Sequence, residues 1–109
     1  MNGLPADVDL TFLVGRKLEQ VCFSLYQVRL MFDHGVWIDI EGDWALNGTR
    51  VAANPGVLGA LLEQSIAEAK RQGDGDVVLM IGSHQLEIFD SHDNHESYTI
   101  GSEGFQIVV

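Results

Sequence analysis

Cysteine, proline and positive charge are all scarce in this chain of 109 residues. Cys22 is the one cysteine, there are two prolines, and lysine and arginine together number six. A single cysteine excludes an internal disulfide. Six basic residues against sixteen acidic ones leave a formal net charge of −10. Such a surface repels phosphate backbones and anionic lipid headgroups, which argues against nucleic-acid and membrane partners. It attracts basic proteins and speeds their encounter, besides keeping the chain soluble. Long apolar runs are missing too. Nothing approaches the roughly 20 apolar residues that span a bilayer. The opening MNGLPADVDLTFLVG has no basic segment leading into the roughly 7–15 apolar residues of an export signal. A cytoplasmic protein is therefore expected, and the glycosylation-like Asn47-Gly48-Thr49 has no meaning in that setting. Catalytic signatures are also missing. There is no Gly-x-Ser-x-Gly elbow. Gly73-Asp74-Gly75-Asp76 lacks the lysine and hydroxyl residue of a phosphate loop, and its acids repel phosphate. No motif calls for a cofactor, and a role other than catalysis is the expectation.

What is present is strand periodicity. The length suits one domain, residues 1–109, and hydrophobic residues make up 46%, enough for a core. From Val28, one face reads Val28, Leu30, Phe32 and the other Arg29, Met31, Asp33. After Gly35, the set Val36, Ile38, Ile40 opposes Trp37, Asp39, Glu41. Directly paired residues of an antiparallel ladder share a face. A two-residue turn at His34-Gly35 would set Leu30 against Asp39 and mix the faces. A three-residue loop, Asp33-His34-Gly35, pairs Phe32 with Val36, Leu30 with Ile38 and Val28 with Ile40. It also pairs Met31 with Trp37 and Arg29 with Asp39. That register, with a left-handed glycine ending the loop, is the one expected.

The pattern recurs. Val77–Ile81 echoes Val28–Phe32, and the turn Gly82-Ser83-His84-Gln85 leads to Leu86-Glu87-Ile88-Phe89. The same arithmetic pairs Ile81 with Leu86 and Leu79 with Ile88. Leu18-Glu19-Gln20 is echoed by Leu62-Glu63-Gln64. Two similar halves, at about 14–45 and 60–100, suggest a duplicated meander. The expected fold is mainly β: a small antiparallel sandwich or open barrel, with one short helix between the halves. Val77–Ile81 is apolar on both faces, as strands covered on both sides are. Val78, Met80 and Phe89 then share the face away from the core. Internal cover is the plainer reading of that face, and self-association across a twofold axis, as a homodimer, the alternative.

The middle segment sets local propensity against the repeat. Asn54-Pro55-Gly56 opens a helix with a capping residue and a proline at the first position. Propensity would carry it to Gln72, because Ala, Glu, Lys and Arg favour helix. The repeat demands a strand instead. The expectation is a short helix near 55–62 and a strand near 64–72.

These features resemble an uncharacterised bacterial family of small β-rich proteins of unknown function. The likeness rests on Val14-Gly15, on Tyr26 before the first hairpin and on the run Phe32–Glu41. It continues through Ile66, Glu68, Ala69 and Val77–Ile81 to the tail HESYTI at 95–100. It covers most of residues 13–109. His95 and Tyr98 stand where that family has Tyr and Trp. The resemblance implies a β-rich fold and a strand at 64–72. It implies no catalytic residue.

Three functional expectations follow. The first is a binding or inhibitory protein for a basic partner, an immunity-type protein being one version, with Arg29, Met31, Trp37, Asp39 and Glu41 as the contact surface. The second is a small-molecule or metal-handling protein built on DSHDNHE at 90–96, with Asp90, His92, Asp93 and His95 as ligands. No spacing there matches a metal motif, and a solvated acidic loop explains the cluster more simply. The third is self-association through Val78, Met80 and Phe89. Cys22 reads as a small residue within a strand.

Overall fold

The computed structural model describes residues 3–50, 54–90 and 96–109. It forms an open sandwich of two antiparallel five-stranded sheets, not a closed barrel. The strands are β1 (Leu18–Phe23), β2 (Val28–Phe32), β3 (Trp37–Ile40), β4 (Trp44–Leu46), β5 (Thr49–Arg50), β6 (Ile66–Gln72), β7 (Asp76–Ile81), β8 (His84–Ile88), β9 (Tyr98–Ser102) and β10 (Phe105–Val108). One sheet runs β1-β2-β3-β9-β10 and the other β5-β4-β8-β7-β6. The inner faces of both enter one apolar core, which includes Leu30, Ile38, Ile40 and Ile100 from the first and Trp44, Leu79, Leu86 and Ile88 from the second. No described helix is long and apolar enough to cross a membrane.

The first hairpin has the register that alternation requires. Val28 faces Ile40, Arg29 faces Asp39, Leu30 faces Ile38 and Met31 faces Trp37. The Phe32 amide donates to the Val36 carbonyl, and the loop closes with His34 and Gly35 both at positive φ. The second hairpin corrects the expected register by two residues: Ile81 faces His84 and Leu79 faces Leu86. Its loop is only Gly82-Ser83, with Gly82 at φ 60°. A shift of two preserves the faces, so Val77, Leu79 and Ile81 are core, as are Leu86 and Ile88.

The seven-residue helix between the halves, Pro55–Leu61, is a 3₁₀ helix, and the Asn54 side chain makes no capping bond. The strand β6 follows, so tertiary pairing overrides the helical propensity of AEAKR. Glu63 at φ 69° ends the helical path.

The two meanders match in detail. Both β1 and β6 carry a bulge after their first residue, between Leu18 and Gln20 and between Ile66 and Glu68. The ladder registers equate Leu18 with Ile66, Leu30 with Leu79, Ile38 with Leu86 and Trp44 with Tyr98. The triplet Leu62-Glu63-Gln64 is thus not the counterpart of Leu18-Glu19-Gln20. Across the middle, the Gly15 amide donates to Ile66 O, Ile66 to Arg16 O, Leu18 to Gln64 O and Glu63 to Leu18 O. The closing hairpins are exchanged: β4 joins β8 of the other half, and β9 joins β3.

Two polar ties lock the far end. Arg71 donates to the carbonyls of Leu4, Pro5, Gly73 and Asp74, pinning the N-terminal segment to the β6–β7 turn. The fully buried Tyr98 donates its hydroxyl to Gly75 O at 2.6 Å. Burial, with the charges of Asp90 and Asp76 close by, pushes that phenol well above its ordinary value. A raised phenol favours the protonated native state. Its contribution is intact below the unfolded value of about 10 and is lost as pH rises through the folded one. Tyr98→Phe is therefore expected to cost ~1 kcal/mol at neutral pH through the orphaned carbonyl. It should also flatten the loss of stability above about pH 10, as read by urea unfolding across pH.

Candidate functional site

On the outer face of the first sheet, Met31 and Trp37 sit in one row, and Arg29 and Asp39 in the next. Trp37 stands opposite Gly101 of β9. Its indole lies on that glycine: a Cβ added there would fall on Cε2 and Cζ2 of the ring. Arg29 stacks over the indole at 4.8 Å and grips Asp39 with both arms, at 2.6 and 2.7 Å. The carboxylate of Asp39 raises the guanidinium above its ordinary value. Sequence pattern placed these four residues together, and the structure brings them together. Their polar groups and the aromatic face are engaged with one another. Glu41, the fifth, lies beyond the end of β3 and is exposed.

Val78, Met80 and Phe89 do share the outer face of the second sheet. Val78 is buried, however, and the other two are half-buried. Long neighbours flank this face: Lys70 and Glu87 stand beside Val78, and Arg50 lies over the Phe89 ring at 4.3 Å. Such side chains cover apolar surface with their stems. Of the candidate metal ligands, His92, Asp93 and His95 lie outside the described residues. Asp90 accepts a hydrogen bond from the Ser97 hydroxyl at 3.2 Å. Among the described residues no group of three or more His, Cys, Asp or Glu is placed to hold a metal. Cys22 lies in β1, half-buried.

The least satisfied surface is elsewhere, at the tip of the β1–β2 hairpin. Phe23 is 52% exposed, Leu25 84% and Tyr26 82%. The turn closes through the Ser24 amide and hydroxyl, both donating to Gln27 O. Its central residues, Leu25 and Tyr26, are not among those with positive φ. Favoured two-residue hairpin turns use positive φ and Gly, Asn or Asp. Local turn chemistry therefore does not explain these residues. The equivalent turn in the second half is Gly73-Asp74-Gly75, with Gly73 at φ 63°. The fold is thus satisfied with a polar turn at this position.

Under the apolar tip lies a hollow of about 260 Å³. Phe23, Leu25 and Tyr26 wall it from the hairpin, Ile40 and Glu41 from the end of β3, and Trp44 and Pro55 from below. Pseudo-symmetry explains why it is open. The matching place in the other half is filled by Tyr98, bonded to Gly75 O, and by Asp90, whose carboxylate rests against Gly75. The counterpart of Asp90 in the ladders is Gly42, which has no side chain to reach the turn. The counterpart of Tyr98 is Trp44, buried at 3% exposure.

Sequence reasoning noted Tyr26 and Glu41 separately and missed the hairpin tip. The available signal was Leu-Tyr at a turn position where polar residues are the rule. Compared with family models, curated proteins and solved structures, the chain matches none.

If the tip is surplus to folding, Leu25→Ser with Tyr26→Ser should change unfolding free energy by no more than about 0.5 kcal/mol. Trp44→Ala, which empties core volume, should cost ~3 kcal/mol or more. Urea titration distinguishes the two. On the sheet face, Gly101→Ala should destabilise by ~2 kcal/mol through overpacking against Trp37. Combining it with Trp37→Ala should recover part of that loss, measured as a double-mutant cycle.

Proposed function

We propose that this chain is a protein-binding module that engages a basic partner through the end of its β1–β2 hairpin. The observation that carries the reading is the exposure of Phe23, Leu25 and Tyr26 on a turn whose pseudo-symmetric mate is Gly73-Asp74-Gly75. Contiguous apolar groups on a soluble surface mark interaction sites. Aromatic side chains are the commonest binding anchors, since they bring large area at low rotamer cost. The net charge of −10 supplies long-range attraction for a basic protein, and the apolar tip supplies the short-range anchor. An inhibitory, immunity-type action is one form such binding takes. Glu41, beside the tip, links the reading to the acidic surface expected from the sequence. Arg29 is committed to Trp37 and Asp39 on the outer face of the same sheet.

The test uses the full chain and its Leu25→Ser/Tyr26→Ser variant, each immobilised and exposed to native-host lysate at low salt. A basic protein held by the native chain, released by a salt step and lost from the variant is the expected result. Equal retention by both chains, or retention by neither, would overturn the reading.

A further inference from the structure

The hollow beneath the hairpin tip has a lining with a definite chemistry. Three aromatic residues, Phe23, Tyr26 and Trp44, line it together with one acidic residue, Glu41. No ion-pair partner of Glu41 is found among the described residues. Glu41 is exposed and lines the hollow together with these aromatic residues. We propose that this hollow is a receptor for one cationic side chain, a lysine or arginine presented by the partner.

Aromatic faces attract an ammonium or guanidinium group, more strongly where water is partly excluded. A carboxylate at the rim adds a charge-assisted hydrogen bond to the head. The aliphatic stem of lysine or arginine suits the wall of Leu25, Ile40 and Pro55, since such stems pack on apolar surface while the head stays polar. The volume of about 260 Å³ accommodates one long side chain and no globular element. The same chain already carries this recognition mode inside itself: Arg29 stacks over Trp37 and pairs with Asp39, an arginine held by one ring and one carboxylate. Repulsion also excludes the alternative sign, because an anionic group would meet Glu41 within a strongly acidic molecule.

Pseudo-symmetry gives the site its specificity. At the other end of the sandwich the equivalent space is occupied by the chain's own Tyr98 and Asp90. Among the described residues, one end is therefore self-complemented and the other open. The open end is the one bearing the exposed apolar turn. This inference rests on the reading of the hairpin as the contact surface, and names what the partner must bring to it.

The experiment titrates the isotope-labelled full chain with n-butylguanidinium and n-pentylammonium, and separately with neutral 1-pentanol, following amide and indole resonances by NMR. The cations are expected to give saturable shifts at Ser24–Gln27, Glu41, Gly42 and the Trp44 indole. Pentanol should bind at least about tenfold more weakly, and Glu41→Gln should reduce cation affinity by about tenfold, the factor equivalent to one such charge-assisted contact. Equal binding of alcohol and cation, unchanged affinity in Glu41→Gln, or shifts spread over the acidic surface without saturating at the hollow would each overturn the proposal. Loss of partner by the hairpin variant alongside a hollow indifferent to cations would sink this inference alone. A cation-binding hollow in a chain whose hairpin variant keeps its partner would sink only the broader reading.

Discussion

β4 closes against β8 and β9 against β3, so neither half completes its sheet without the other. Everything else in the molecule depends on that exchange. It places Trp44 of the first half and Tyr98 of the second under the hairpin turns, and it unites two inner faces into one core. The four backbone bonds joining residues 15–18 to 63–66 hold the halves at their common centre. Side-chain burial then supplies the energy, as apolar area removed from water does in any sandwich.

Within this near-symmetry the two ends differ at a few equivalent positions. Equivalent positions hold Asp90 and Gly42, Gly75 and the Leu25-Tyr26 turn, Tyr98 and Trp44. Asp90, Gly75 and Tyr98 meet through contacts and hydrogen bonds that close one end, whereas Gly42 and the Leu25-Tyr26 turn leave surface or space at the other. A duplicated scaffold needs only one kind of end, so the second kind calls for a cause outside folding. Exposed Leu25 and Tyr26 beside an unfilled hollow are that residue of unexplained sequence.

Several features were legible before any coordinates. The first hairpin was readable because its alternation is strict and because Arg29 opposite Asp39 leaves only one register electrostatically sensible. A strand near 64–72 was expected from the repeat, against the helical preference of its residues, and one is found at Ile66–Gln72, although the triplet match that suggested it is not the true correspondence. The second hairpin was read two residues out of register. Val77–Ile81 is apolar on both faces, so alternation does not pin it, and the short Gly82-Ser83 turn was hidden inside a longer stretch of turn-forming residues. The hairpins β4–β5 and β9–β10 escaped notice, β4 and β5 being only three and two residues long. Asn47-Gly48 is in fact a hairpin turn, with both residues at positive φ, the backbone such a pair favours. Of the binding surface, Glu41 and Tyr26 were visible as residues. Their convergence was not, because exposure at a turn and an empty space beneath it depend on how the halves pack.

The exchanged hairpins also shape how the chain reaches its structure. The meanders β1–β3 and β6–β8 are local and can assemble early. The pairings of β4 with β8 and β9 with β3 join segments far apart in sequence, and such topology slows folding. Nothing in those pairings distinguishes the chain's own second half from that of a neighbour. At high concentration during refolding, two chains can therefore clasp each other's hairpins as readily as their own, and the intramolecular clasp wins only through the higher effective concentration of a tethered partner.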